Sequence, residues 1–299
     1  MLLSIITPSF NRGYCLHRIY QTLIQFDPHD FEWVLVDDGS TDDTMSIVQP
    51  WLDEKKLNIR YIKQNNAGKT NAVIHAFDQK PVGTYTLVLD SDDYLLPNAL
   101  ELIKRYISEL RAEEIGLVFL KSNTVGEIIG TEFNLETSTY IEMYFGKYKC
   151  EGDKLFIVHT ALYKESLVAA YPGEKLIPEG VIYMNMQRYG KFRCVNKLLY
   201  AGDYLADGLS SSTTNLAANN INGFILEKRM LQDQPLDLLS AAKNYVKYIS
   251  YSISGNKSFR EIFYHSRNKF LIFLLLFPAF VLSWKRISQI RAIIKKRKF

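Results

Sequence analysis

Cysteine is scarce in this chain: Cys15, Cys150 and Cys194 are the whole complement, and none sits at C-x-x-C spacing. A disulfide framework and a zinc knuckle are thereby excluded, and a reducing compartment is expected. The five histidines (His17, His29, His75, His159 and His265) lack metal-ligand spacing as well. No G-x-G-x-x-G and no G-x-x-x-x-G-K-[ST] occurs, so the backbone cradles of dinucleotide and P-loop sites are missing. Asn66-Ala67-Gly68-Lys69-Thr70 ends in G-K-T but has no upstream glycine at the required distance. No serine lies in G-x-S-x-G, which removes support for an α/β-hydrolase. An apolar run of the roughly twenty residues a spanning helix needs is also absent, the longest being the fifteen residues 270–284.

What is present is an ordinary folded composition, 47% hydrophobic and 23% charged over 299 residues. That length suits one large α/β core or two modest units. The formal charge of +4 is unevenly distributed. Lys285, Arg286, Arg291, Lys295, Lys296, Arg297 and Lys298 are seven basic residues in the last fifteen, with no acidic one. Taking those seven from +4 leaves −3 for residues 1–284. A body of that sign argues against nucleic acid as a partner. The N-terminus, MLLSIITPSF, has no basic n-region and meets Pro8 early, so it reads as a first strand and not as a signal peptide.

Over the first 120 residues strand-like and helix-like patterns alternate. Apolar runs at 2–7, 31–36, 58–62, 85–89 and 115–121 predict strands, and segments 13–26, 68–77 and 97–110 predict helices. Ser40 and Asp43 have the spacing of a capping box for a further helix to about Leu52. Such alternation predicts a mostly parallel sheet with helices on both faces, whose function gathers at the carboxyl ends of the strands. Three polar clusters fall at those ends: Thr7-Pro8-Ser9, Asp37-Asp38-Gly39-Ser40 and Asp90-Ser91-Asp92-Asp93. Beyond residue 120 the rhythm breaks. Residues 127–133 and 135–141 are strands or irregular insertion, 158–167 a strand entering a helix, 183–189 helix, 192–200 a late strand, 205–222 a loop or lid, and 223–251 helical.

Neighbouring carboxylates at 90–93 repel one another and require a cation, protons or hydrogen bonds. A hard divalent ion, Mg²⁺ or Mn²⁺, takes few carboxylates and completes its shell with substrate phosphate oxygens. It would also neutralise a departing diphosphate. A turn of solvated, helix-capping aspartates is the simpler alternative. Asp37 and Asp38 raise the same choice: with Ser40 capping the next helix, one of them is expected to be left for a base N–H or ribose hydroxyl. Lys69 is placed to meet a phosphate or to be an ordinary surface lysine.

The segments SIITPSFNR (4–12), VLVDDGSTDDT (34–44), NNAGKTNAV (65–73) and YTLVLDSDDYLLPNAL (85–100), in this order, make the chain resemble the inverting glycosyltransferases of family 2. The resemblance implies a GT-A fold, a Rossmann-like α/β sheet. It divides the chain into a nucleotide-sugar-binding half (1–120), an acceptor-binding half (121–222) and a C-terminal helical region (223–299). It implies that Pro8 and Asn11 shape the loop under the nucleotide, and that Asp38, with Asp37, meets base or ribose. Asp90 would touch ribose or ion, Asp92 would be the direct metal ligand, and Asp93 would support the loop or face the donor sugar. Many relatives carry Glu-Asp at the start of the acceptor-side helix. This chain has Pro178-Glu179-Gly180 instead, so Glu179 is the expected general base, with Glu174, Asp203 and Asp207 as alternatives. Tyr204 and the stretch Asp207-Gly208-Leu209-Ser210 resemble the family's late segment that closes over donor phosphates.

By the same resemblance the donor is a uridine diphosphate sugar, the acceptor a glycan or lipid-linked glycan, and the setting bacterial polysaccharide assembly. The uncharged apolar stretch 270–284, interrupted by Pro278 and followed by Trp284 and the basic run, suits attachment of residues 270–299 to an anionic cytoplasmic leaflet. A spanning helix and a buried soluble helix are the alternatives, and an assembly of identical chains is compatible with any of them. Two other functions compete: a nucleotidyltransferase, which needs more glycine and basic residues than SFNRGY after the first strand, and an inactive membrane-bound scaffold.

Overall fold

The computed structural model describes residues 1–147, 149–203, 205, 208 and 212–296. Two compact units divide the chain: Met1–Tyr144, Tyr148–Leu167 and Asn185–Asp203 form one, and Phe145–Lys147, Val168–Met184 and Tyr204–Phe299 the other.

The first unit is built on a nine-stranded sheet. β1 (Leu3–Ser9) and β2 (Phe31–Asp37) are buried along their whole length, as their largely apolar character requires of strands covered on both faces. β3 (Ile59–Lys63) pairs parallel with β2, and β4 (Tyr85–Val88) parallel with β1. Then come β5 (Tyr94–Leu95), β6 (Glu114–Ser122), β7 (Thr137–Ser138), β8 (Lys154–His159) and β9 (Lys191–Ala201). The order is β3-β2-β1-β4-β8-β6-β9-β5, with β7 on β9. Strands β1 to β4 are parallel, β8 runs antiparallel to both β4 and β6, and β9 is parallel to β6. The sheet is thus mixed but mostly parallel at the end that the opening hundred residues build.

Side-chain alternation assigns the faces. Leu3, Ile5, Phe31, Trp33, Leu35, Leu87, Leu117 and Phe119 join one core with Leu16, Ile19 and Leu23 of α1 (Gly13–Leu23). Val48 of α2 (Thr44–Glu54) and Ile103 of α4 (Ala99–Ser108) belong to the same core. α3 (Lys69–Asp78) packs on β1 and β2, and its Phe77 stacks at 5.2 Å on Tyr163 of α6 (Thr160–Ser166). Glu32, fully buried on β2, accepts from Ser4 Oγ (2.5 Å), the Val82 amide (2.5 Å) and Arg60 (3.0 Å). It ties β2 to β1, to β3 and to the loop entering β4.

Two expectations change here. The Ser40–Asp43 capping box does not form: α2 starts at Thr44, and Asp43 makes no side-chain cap. Asp42 takes the role, accepting from the Thr44 amide at 3.1 Å, while Ser40 turns its hydroxyl to the Asn11 amide at 2.9 Å. The region 127–141, open between strand and irregular structure, has only an isolated bridge at Ile128 and two-residue β7 before α5 (Tyr140–Phe145).

The second unit is helical. α7 (Glu179–Met186) begins in it, followed by α8 (Thr213–Asn219), α9 (Ile221–Met230), α10 (Leu238–Ser254), α11 (Phe259–Tyr264) and α12 (Lys269–Lys296). The expected loop at 205–222 is therefore helical from Thr213 on, started by Ser212, whose side chain accepts from the Asn215 amide at 3.3 Å. Tyr204, Asp207, Leu209 and Ser210 of the presumed closing stretch, and Arg297 and Lys298 of the tail, lie outside the described residues. α12 continues through Pro278 as one helix of 28 residues, longer than the fifteen-residue apolar run predicts. Ile272, Ala279 and Ile287 pack on Tyr245, Tyr248 and Ile249 of α10. Phe270, Phe273, Leu274, Phe277, Val281 and Trp284 are exposed. At 100° per residue these six share one face of the helix.

Replacing Glu32 by Ala leaves the Ser4 hydroxyl and the Val82 amide without their acceptor and Arg60 without its counter-charge. An unfolding free energy lower by about 3 kcal/mol is expected from urea titration.

Candidate active site

Strand register brings the three polar clusters together. Ser9 is level with Asp37, and Asp37 with Lys63. The Asp38 amide donates to Ser9 O at 2.8 Å and the Leu89 amide to Ile6 O at 2.9 Å, so 9–11, 37–40 and 90–93 leave the sheet side by side. Pro8 is buried within β1. Asn11 has a left-handed backbone (φ 52°) and accepts the Thr41 amide on Oδ1 at 2.8 Å, locking its loop to the Asp-Gly-Ser turn. Gly39 (φ 81°) permits that turn, since a Cβ there would lie 2.8 Å from the Asn66 nitrogen.

Neither Asp37 nor Asp38 is spare, contrary to the expectation that one is left over. Asp37 accepts from the Ser40 amide (2.7 Å) and from the Tyr61 hydroxyl, with Lys63 at 3.8 Å. Burial, then this carboxylate, pushes the Tyr61 phenol well up. Asp38 accepts from Gln64 Nε2 (2.6 Å), the Ala67 amide (2.7 Å) and the Gly68 amide (2.7 Å). It therefore folds the 64–68 loop onto β2 and places Lys69 at the head of α3. Gln64 in turn meets His75 Nδ1 at 2.7 Å.

The carboxylates at 90–93 have three different fates. Asp93 is buried and paired with Lys121 Nζ at 2.8 Å, and Lys121 also approaches Asp153 at 3.7 Å and lies over the Tyr200 ring. Burial pushes the Asp93 carboxyl up to about 7 despite that ammonium. For Lys121 burial works in the opposite sense, but Asp93 and Asp153 outweigh it and hold the charge on the amine. Asp90, half-exposed, pairs with Lys69 Nζ at 2.6 Å. Asp92 is half-buried, and among the described residues no other residue's hydrogen bond or ion pair is recorded at its carboxylate. Burial first, then repulsion from Asp90, raises its pKa.

A divalent ion fits this donor chemistry. Among the described residues no three His, Cys, Asp or Glu side chains gather as a protein cage. One or two carboxylates, completed by substrate phosphate, are the usual protein share for Mg²⁺. Asp92, desolvated and crowded by a like charge, is the group a cation would relieve, and Asp90 is its neighbour.

The alternative bases stand elsewhere. Glu179, exposed, opens α7 in the second unit. Glu174 is consumed by the Asn222 amide (2.7 Å), Asn222 Nδ2 (2.8 Å) and the Gly223 amide (3.0 Å), and so anchors α9. Asp203 accepts from the Thr124 amide and hydroxyl. Asp207 lies outside the described residues. Sequence reasoning missed Lys121, Gly202 and Gln64. Lys121 had a readable signal, a lysine near the end of the apolar strand EIGLVFLKS, which must find a carboxylate if it is buried. Gly202 had none: a Cβ there would fall 1.8 Å from Asp93 Oδ1, and only the folded turn reveals it.

Residues 4–170 match the model of glycosyl transferase family 2, more than half of the chain. The chain belongs to that family. A family 2 relative, the GalNAc(5)-diNAcBac-PP-undecaprenol beta-1,3-glucosyltransferase of Campylobacter jejuni, is 25% identical over 276 residues, covering 87% of this chain and 85% of its own. The chondroitin synthase of Escherichia coli is 28% identical over 210 residues, 67% of this chain but 28% of its own length. That of Pasteurella multocida is likewise matched over only 23% of its length. In fold, the chain is similar to the crystal structure of Staphylococcus aureus TarS 1-349 in complex with UDP-GlcNAc (TM-score 0.63, 18% identity), covering all of this chain and 92% of the other. The GT-A architecture expected for family 2 is thus the one observed.

Lys121→Met is expected to destabilise the protein by about 3–5 kcal/mol at pH 8.5, where Asp93 is ionised and would lose its cation. The Asp93 carboxyl titrates near 7 in the folded chain and near 3.8 when unfolded. The folded state therefore binds the extra proton between those values, and the cost of the substitution shrinks as pH falls below 7. Urea titrations at pH 5.5 and 8.5 measure the difference.

Proposed function

We propose that this chain transfers a sugar from a nucleoside diphosphate donor to a hydroxyl of a glycan or lipid-linked glycan, inverting the anomeric centre. The observation that carries it is Asp92, half-buried at the strand ends of a family 2 sheet, crowded by Asp90 and, among the described residues, hydrogen-bonded to its own backbone amide alone. We assign nucleotide-sugar binding to 1–120, acceptor binding to 121–222 and membrane attachment to 270–299 of the C-terminal helical region 223–299. Uridine is the proposed base, supported by the UDP-GlcNAc complex of the structurally similar TarS.

In this reading Pro8 and Asn11 form the loop under the nucleoside, and Asp38 and Asp37 present the residual lone pairs of their fixed carboxylates to base and ribose. Asp90 and Asp92 would hold Mn²⁺ or Mg²⁺, with Asp92 as the direct ligand. When bound, that ion supplies charge compensation to the diphosphate leaving group. Lys69, freed from Asp90, meets a phosphate oxygen. Asp93 supports the turn from beneath through Lys121 or faces the donor sugar. Glu179 removes the acceptor hydroxyl proton as that oxygen attacks the anomeric carbon. It stands exposed in the first turn of α7.

Attachment to an anionic cytoplasmic leaflet rests on α12. The helix is long and apolar enough to cross a membrane by length and composition, with 22% of the apolar window buried. The exposed face from Phe270 to Trp284 followed by Lys285, Arg286, Arg291 and Lys295 favours a helix lying in the headgroup plane.

Calorimetry against nucleoside diphosphates with and without Mn²⁺ tests the site. One nucleotide should bind in a metal-dependent way, and Asp92→Ala should abolish the binding; equal binding by the variant removes Asp92 from the assignment. Glu179→Gln should lower kcat by about 10²- to 10⁴-fold with little change in donor affinity. Undiminished turnover would return Glu179 to a structural role. Phe273→Ser with Phe277→Ser should reduce flotation with anionic vesicles while leaving nucleotide binding intact.

A further inference from the structure

The second unit contains a cleft that neither the donor site nor the membrane face uses. It has a volume of about 130 Å³ and lies among α9, α10 and α11. Three cationic or cation-capable side chains from different elements line it: Arg229 near the end of α9, Lys257 in the loop after α10, and His265 just past α11. The Lys257 amide donates to the Ser252 carbonyl at 2.9 Å, which fixes that loop over the floor of the cleft.

Glu261 is the one carboxylate in the lining, and it is already engaged. It accepts from the Ser258 amide and hydroxyl, both at 2.7 Å, in the capping box of α11. Those hydrogen bonds from Ser258, with the nearby charges of Lys257 and His265, hold its carboxyl below the usual range. The floor carries Tyr248, which donates to the Ile262 carbonyl, and beneath it the buried Ser252 hydroxyl lies against the Tyr248 hydroxyl.

We propose that this cleft binds a phosphoryl group. Its tetrahedral oxyanion offers one oxygen to each of Arg229, Lys257 and His265 around the rim. A carboxylate has two oxygens and would leave one of the three unmet. A volume near 130 Å³ holds a phosphoryl group with some water. The group is carried either by a soluble phosphomonoester or by the headgroup of a lipid.

The full chain, titrated with inorganic phosphate by calorimetry, tests this. The comparison variant is Arg229→Gln with Lys257→Gln; Asp92→Asn removes any contribution of the proposed donor site. Saturable phosphate binding should persist in Asp92→Asn and weaken at least tenfold in the double variant. Phosphate binding that is absent, lost in Asp92→Asn or unchanged in the double variant overturns the proposal. Nucleoside diphosphate binding should survive in the double variant, so failure of this cleft and failure of the donor-site reading are separable. Flotation with vesicles containing phosphatidic acid then distinguishes the carriers. A loss in the double variant identifies the lipid headgroup, and unchanged flotation beside weakened phosphate binding identifies the soluble ester. Circular dichroism checks that the double variant is folded.

Discussion

Three carboxylates within four residues cannot all remain ionised in a desolvated turn without compensation, and the structure relieves them one at a time. Lys121 rises from β6 to take Asp93, while Lys69 reaches from α3 to take Asp90. Asp92 is left with its charge only partly offset. Much of the surrounding architecture follows from that division. β6 needs a lysine in an otherwise apolar run, and position 202 needs a glycine to clear Asp93. The loop before α3 must be folded back far enough to bring Lys69 to the site, which is the work of Asp38. Electrostatics in this corner thus dictates residues on elements far apart in sequence.

How much of this was legible beforehand depends on the range of the interaction. Buried parallel strands such as ITP and VLV announce themselves because burial on both faces requires unbroken apolar runs. Their polar ends are visible for the same reason, which is why 7–9, 37–40 and 90–93 stood out. The family match over 4–170 agrees with the resemblance drawn from those segments. Local capping was misread, since Ser40 and Asp43 have the right spacing but Asn11, 29 residues earlier, competes for the Ser40 hydroxyl. The supposition that one of Asp37 and Asp38 is spare failed similarly. Tyr61, Gln64 and two amides of the 67–68 turn claim those oxygens, and no linear pattern predicts which loop folds over them.

The C-terminal unit illustrates a different limit. A fifteen-residue apolar run gives the composition of α12, but its length is set by packing: Ile287 and Ile290 remain buried beyond the apolar run, so the helix extends through Pro278 to 28 residues. The same pairing with α10 separates a buried stripe from an exposed one, a distinction that hydropathy averaged along the chain cannot make.

In the proposed donor site, the Lys69–Asp90 contact would make arrival of a donor an exchange and not a simple addition. The lysine and the carboxylate face each other in the resting protein, and each would take a new counter-charge once they part. An anion and a cation arriving together would separate the pair at least cost, a bias toward donors that bring both charges.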